Sequence, residues 1–189
     1  MSTAYSSFRK TTKEKISDKA FELFKKHGYD NVSVRQIAAE LKMTTGALYY
    51  HFKNKEDILI DRSEKNEDII KDKYNDLSFP SSKDRILSLF VDLMADLIYY
   101  DGPELTAIRM LGRTAMRTRS SALETTLEKM VNDAIAVNEL SDKHNCKEIS
   151  NSVLFTFRGI EYCWATDPEN IDLKSTVKTE LSRLLDYYR

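Results

Sequence analysis

Four helix starts, at Thr11, Ser33, Thr44 and Asn54, crowd into the first 55 residues of this chain. That spacing leaves room for one helix of about four turns and two short ones before a fourth begins. Thr11-Thr12-Lys13-Glu14 reads as a capping box, the Thr11 side chain taking an amide of the first turn and Glu14 reaching back. Ile16, Ala20, Leu23 and Phe24 follow at helical spacing. Lys25, Lys26 and His27 fill the last turn, and Gly28 is expected to end it as a left-handed cap.

Ser33-Val34-Arg35-Gln36 is a second capping box. It opens a short helix through Leu41, with Ile37, Ala38 and Leu41 inward. Lys42-Met43 makes a tight turn, and Thr44 caps a third helix from Thr45 to about His51. Ile37, Leu41, Met43 and Leu48 fall at the four apolar positions of a helix-turn-helix, and Ala38 is the small residue that lets its helices cross closely.

The third helix lies in TTGALYYHFKNKEDIL, residues 44–59, where Tyr49, Tyr50, His51 and Phe52 stand in a row. Four adjacent rings cannot all face one core. Leu48 points inward and Phe52 seals the same core. Thr45, Ala47, Tyr49, Tyr50 and His51 are left on or beside the outer surface, and Gly46 keeps the first turn slim. Such a helix fits a DNA major groove, N-terminal end first. Asn54 caps the fourth helix, with Glu56 and Asp57 in its first turn. Lys55 at that N-terminus, beside free amides, suits a phosphate. A protein–protein patch is the competing reading of exposed rings.

Charge divides the chain in the same place. Residues 1–55 hold 11 Lys/Arg against 5 Asp/Glu, and residues 56–189 hold 18 against 25, so a basic front precedes an acidic rear. Only the front is then suited to a polyanion. With 5 Gly and 3 Pro in 189 residues, turn residues are too few for a sheet protein, and the fold class is all-α. No run approaches the ~18 uncharged apolar residues of a membrane span, and the N-terminus lacks the apolar run of a signal peptide. Cys146 and Cys163 match no metal or redox spacing and read as buried or semi-buried thiols in a reducing cytoplasm. His27, His51 and His144 are too scattered to bind metal. With no nucleophile–base motif and no Gly-rich phosphate loop, neither an enzyme nor a cofactor is expected.

Behind the front, a connector helix is predicted over 55–76 and a loop over Ser78-Phe79-Pro80-Ser81-Ser82. The next helix, about 83–100, is apolar around most of its circumference and should be central. Asp101-Gly102-Pro103 breaks the chain and restarts it, Pro103 as a first helical residue. Helices of about 103–116 and 119–140 follow, the second with Leu123, Leu127, Met130, Val131, Ala134 and Val137 inward. In the helix over 146–166, Ile149, Val153, Phe157, Ile160 and Trp164 make one stripe, while Leu154, Phe155, Tyr162 and Cys163 make it apolar beyond that stripe, so it needs two partners. In the last segment Leu173, Val177, Leu181, Leu184 and Tyr188 recur at helical spacing.

The run VSVRQIAAELKMTTGALYYHFKNKEDIL resembles the DNA-binding domain of the TetR family of bacterial transcriptional repressors, over roughly residues 10–60. Its motif is Leu48-Tyr49-Tyr50-His51-Phe52, then Lys55-Glu56 and Leu59. Two positions depart from the family pattern. Lys42 stands where glycine is usual, and Gly46 where a polar or small residue is common. The resemblance implies that positions matching Arg35, Thr45, Ala47 and Tyr49 lie near base edges or adjoining backbone, and those matching Tyr50, His51 and Lys55 mostly on phosphates. With Thr44 and Gly46, these are the candidate DNA-binding residues.

The resemblance also implies two domains, residues 1–54 for DNA binding through three helices and residues 55–189 for ligand binding and dimerisation, about nine helices in all. A homodimer through the last two helices would meet a palindrome-like operator in double-stranded DNA. A small-molecule inducer of unknown identity is implied, in a pocket near the central helix for which Met94, Arg109, Met110, Phe155, Arg158, Tyr162 and Trp164 are candidates. Arg109, Arg113 or Arg158 could meet an anionic group on a ligand, and a salt bridge, such as Arg158 with Glu161, is the plainer alternative. The expected function is a cytoplasmic, sequence-specific repressor relieved by its ligand. The alternative is a ligand-independent or protein-controlled architectural factor with the same head.

Overall fold

The computed structural model describes residues 11–74, 79–111 and 121–189, all helices and their connections. By their contacts, residues group into two compact units, Met1–Asp61 and Arg62–Arg189. The predicted helix ends at 76 and 116, the start at 119, Ser78 and Arg113 lie outside the described residues.

The front unit holds α1 (Thr12–His27), α2 (Val34–Glu40), α3 (Thr45–His51) and the start of α4 (Lys55–Tyr74). Both predicted capping boxes are present. The Thr11 hydroxyl accepts from the Glu14 amide at 3.2 Å while the Glu14 carboxylate accepts from the Thr11 amide at 2.7 Å. Ser33 and Gln36 repeat the exchange at 3.2 and 2.7 Å. Gly28 takes the expected positive φ of 82°, but its ψ of 147° carries the chain out of the left-handed helical region. That exit brings the Tyr29 ring onto Phe24, centroids 4.9 Å apart.

Lys42 is the residue with the strained backbone, at φ 53°. The amide of Met43 donates to Ala38 O and that of Lys42 to Ala39 O, both at 3.0 Å. This is a Schellman ending with lysine where glycine is favoured. Ile37, Ala38, Leu48 and Phe52 are buried as the pattern requires. Leu41 and Met43, expected inward, are only half-buried, because the tight turn sets them at the edge of a small core.

In the rear unit, α5 (Ser82–Ser88), a π-helical segment (Leu89–Met94) and α6 (Ala95–Asp101) follow without a break. The π turn is marked by the Ala95 amide donating to Phe90 O, five residues back. Gly102, at φ 85°, ends the rod, and Pro103 opens α7 (Pro103–Leu111) as predicted. Then come α8 (Ser121–Ala136), α9 (Cys146–Thr166) and α10 (Leu173–Tyr187). With the α5–α6 rod taken as one helix, nine helices are traced among the described residues.

The core gathers around the rod and α9, which packs on α7, α8 and α10. Phe90 meets Phe157 at 4.8 Å between ring centroids, and Tyr99 meets Trp164 edge-on at 5.3 Å. Three expectations are corrected. Val137 is exposed, because α8 ends at Ala136 and Asn138, at φ 58°, turns the chain away. Leu184 is half-buried and Leu185 takes the inward place beside Leu181. Cys163 is exposed, on a face of α9 that is open among the described residues.

Candidate nucleic-acid interface

The outer face of α3 is built from its cap upward. The Thr44 hydroxyl accepts from the Ala47 amide at 3.1 Å, which fixes the start of the helix. Leu48, fully buried, then sets the rotation of the helix, and Phe52, in extended backbone just past its end, closes the core. The remaining positions have nowhere to go but out. Tyr49 is 52% and Tyr50 87% exposed. Gly46 and Ala47 are exposed, while Thr45 and His51 are half-buried. The Tyr50 and His51 rings meet edge to face at 5.2 Å. Arg35, in the first turn of α2, and Lys42, in the strained turn, are exposed as well.

A Cβ at Gly46 would meet only the Thr44 hydroxyl oxygen, at 4.0 Å. The fold therefore does not demand glycine there, and the slim surface it leaves is a property of the outer face.

Lys55 is placed differently from a free surface cation. Its ammonium donates to the Tyr29 carbonyl at 2.7 Å and lies 4.3 Å from the centroid of the Tyr29 ring. One of its three donors is thus spent on the connection between α1 and α2, and the aliphatic stem is half-buried. Beside it Asn54 caps α4, accepting from the Asp57 amide at 2.8 Å, while Asp57 accepts from the Lys53 amide at 3.1 Å. Burial first, then the nearby Glu56 and Asp30 carboxylates, push the Tyr29 phenol up to about 12. Tyr29 was missed in reading the sequence, since nothing local ties it to Lys55.

The candidate pocket residues do not converge as one lining. Met94 and Trp164 are buried in the core, and Met110 is half-buried. Phe155, 72% exposed, and Tyr162, 44% exposed, stand on the open face of α9, because the other stripe of that helix is the one its own chain covers. Arg109 and Arg158 do come together. Both donate to the fully buried Glu161, Arg109 at 2.8 Å and Arg158 at 2.9 Å. Among the described residues no cluster suited to a metal ion occurs, and no helix is long and apolar enough to cross a membrane.

Residues 16–61 match the family model for bacterial regulatory proteins of the tetR family. An HTH-type transcriptional regulator of Staphylococcus aureus is 41% identical over 49 residues, a stretch that covers 26% of this chain and 26% of that protein. The chain therefore matches about a quarter of that relative's length. Across the whole fold it is similar to SmeT of Stenotrophomonas maltophilia, with a TM-score of 0.76, 21% identity, and 95% of this chain and 91% of that one covered. It is also similar to FadR from Bacillus subtilis in complex with stearoyl-CoA, with a TM-score of 0.72, 19% identity, and coverage of 91% and 97%. Fold and front unit together show a helix-turn-helix unit followed in the chain by a larger helical unit. Residues 16–61 are thus the part of this chain that is similar to the tetR family of bacterial regulatory proteins.

Proposed function

We propose that this protein is a sequence-specific transcriptional repressor that binds a palindrome-like operator as a homodimer and is released by a small-molecule ligand. The observation that carries the reading is α3, a capped helix with one leucine buried and two tyrosines held out to solvent. Tyr49, Ala47, Thr45 and Arg35 would lie near base edges, and Tyr50, His51 and the remaining donors of Lys55 near phosphates. Residues 1–54 would serve DNA and residues 55–189 ligand and dimerisation.

The open face of α9 supports the dimer. Phe155, Gly159 and Tyr162 recur on it at helical spacing, and space beside Gly159 is open to a second helix. Solved structures of similar fold hold stearoyl-CoA in one case and triclosan in another, which supports a ligand of low molecular mass. Relief follows if the ligand prefers a dimer whose two reading helices no longer match one-turn spacing.

Fluorescence anisotropy of a labelled duplex from the gene's own upstream region, at several salt concentrations, tests this. Specific dimeric binding with a steep salt slope is the expected result. Weak binding indifferent to sequence, both there and after selection from a random duplex library, overturns it.

A further inference from the structure

Two guanidinium groups converge on one buried carboxylate in the rear unit. Arg109 Nη2 donates to Glu161 Oε1 and Arg158 Nη1 to Glu161 Oε2, with the Glu161 side chain 1% exposed. One arginine would suffice to neutralise Glu161 and to tie α7 to α9. Among the described residues, the second leaves the cluster with an excess positive charge, on side chains 16% and 34% exposed. Burying an uncompensated charge is costly, so such an arrangement calls for an anion.

A second observation lies one turn back along α7. Thr106 is fully buried, and its hydroxyl has no hydrogen-bond partner, nor has the buried Nε of Arg109. Residues three apart share a helix face, so two unused donors stand on the same side of α7. Buried polar groups are nearly always bonded, and these two need an acceptor. Met110 is half-buried on the same side of α7, and Ala107 packs on the main apolar core. A ligand head bonded here would have its body among apolar groups.

We propose that the ligand of this regulator carries an anionic head, a carboxylate or a phosphate, on an apolar body, and that Arg109, Arg158 and Thr106 bind that head. The inference rests on the ligand-responsive reading and names the chemistry of the ligand. Arg109 offers Nε–H and Thr106 its hydroxyl to one oxygen acceptor group. Arg158, the more exposed of the pair, supplies charge from the other side. Glu161 holds both guanidinium planes in place, so it acts as a positioning residue.

The test is calorimetric titration of the full chain with straight-chain carboxylates from butanoate to hexadecanoate, the matching alkyl phosphates and the matching alcohols. Arg158→Gln leaves Glu161 paired to Arg109, and Thr106→Val leaves the whole ion cluster intact, so at least one variant stays folded. The wild type should bind an anionic member about tenfold or more tightly than its alcohol, as loss of a charged hydrogen bond implies. Arg158→Gln should abolish that preference and Thr106→Val reduce it several-fold. Whichever anion series binds more tightly identifies the head as carboxylate or phosphate. Alcohols binding as well as anions, no binding by either anion series, or a preference unchanged in both variants would overturn the proposal and leave these donors to solvent water. Operator anisotropy in the same samples separates the two readings. An anion that binds without releasing DNA upholds the site and overturns ligand relief, whereas an alcohol that binds equally and releases DNA does the reverse.

Discussion

Lys55 and Tyr29 are joined twice, by a 2.7 Å hydrogen bond from the ammonium to the Tyr29 carbonyl and by the cation lying 4.3 Å over the Tyr29 ring. Twenty-six residues separate them in sequence, so the contact closes the front unit as well as presenting a cation. Lys55→Ala should therefore do two things. It should lower the stability of the front unit by about 1–2 kcal/mol, the scale of a charged hydrogen bond with a cation–π contact. It should also flatten the salt dependence of operator binding by about one unit. Denaturant melts and anisotropy measure the two effects separately. Intact stability would show that the contact is not a brace.

The raised Tyr29 phenol predicts a pH window. The folded group titrates at about 12 against an ordinary 10.0, so the unfolded chain loses its proton first. Stability from this group is full below pH 10 and falls as pH rises towards about 12. Denaturant midpoints across that range should fall less steeply in Tyr29→Phe than in the wild type. Equal slopes would mean that the phenol is not held in its neutral form by burial.

Lys42 adopts φ 53°, a backbone that costs a non-glycine residue about 1 kcal/mol. Lys42→Gly should relieve that strain and leave Tm equal or slightly higher, the greater freedom of glycine in the unfolded chain taking back part of the gain. Its operator affinity should fall and its salt slope flatten, because the exposed ammonium is lost. A lower Tm would show that the lysine backbone is not strained here, and unchanged affinity would remove the case for a contact between this ammonium and DNA.

Tyr50 is 87% exposed and holds nothing in the core. Tyr50→Ala should change stability by less than about 0.5 kcal/mol, as surface substitutions do. Operator affinity should nevertheless drop by about tenfold or more. A variant binding DNA as the wild type does would move the contact surface away from this ring.

Phe155, 72% exposed on α9, should matter only between copies. Phe155→Asp should weaken self-association by about 2 kcal/mol or more, the scale of a central aromatic anchor. Sedimentation velocity should then show monomer at concentrations where the wild type is dimeric. A monomeric wild type would refute the interface outright.

What could be read from the sequence was local. Thr11 with Glu14 and Ser33 with Gln36 are three residues apart, and their geometry follows from their spelling. Leu48 and Phe52 were legible because a seven-residue helix has room for only one inward leucine. Lys55 on Tyr29 was not, since no pattern links residues so far apart. Periodicity also found both apolar stripes of α9 without telling which one the chain would cover itself. Phe155 and Tyr162, candidates for a pocket by residue type, therefore stand on the open face instead. The Arg158–Glu161 pair was foreseeable at three residues' spacing, while Arg109 joined it from another helix.

The π turn at Leu89–Met94 sets a phase. On a straight α-helix, at about 100° per residue, Phe90 and Tyr99 would face opposite sides of the rod. The extra residue in the turn takes back about 100° and leaves the two rings about 80° apart, on one half of the rod. Phe157 and Trp164, which receive them, are seven residues apart and so lie on one stripe of α9. The two aromatic contacts are thus in step only because one residue is looped out between them. Deleting a single residue between Phe90 and Ala95 would restore a regular helix with the far end of the rod still in phase with α9, whereas straightening the turn with every residue kept would swing Tyr99 by about 100° away from Trp164.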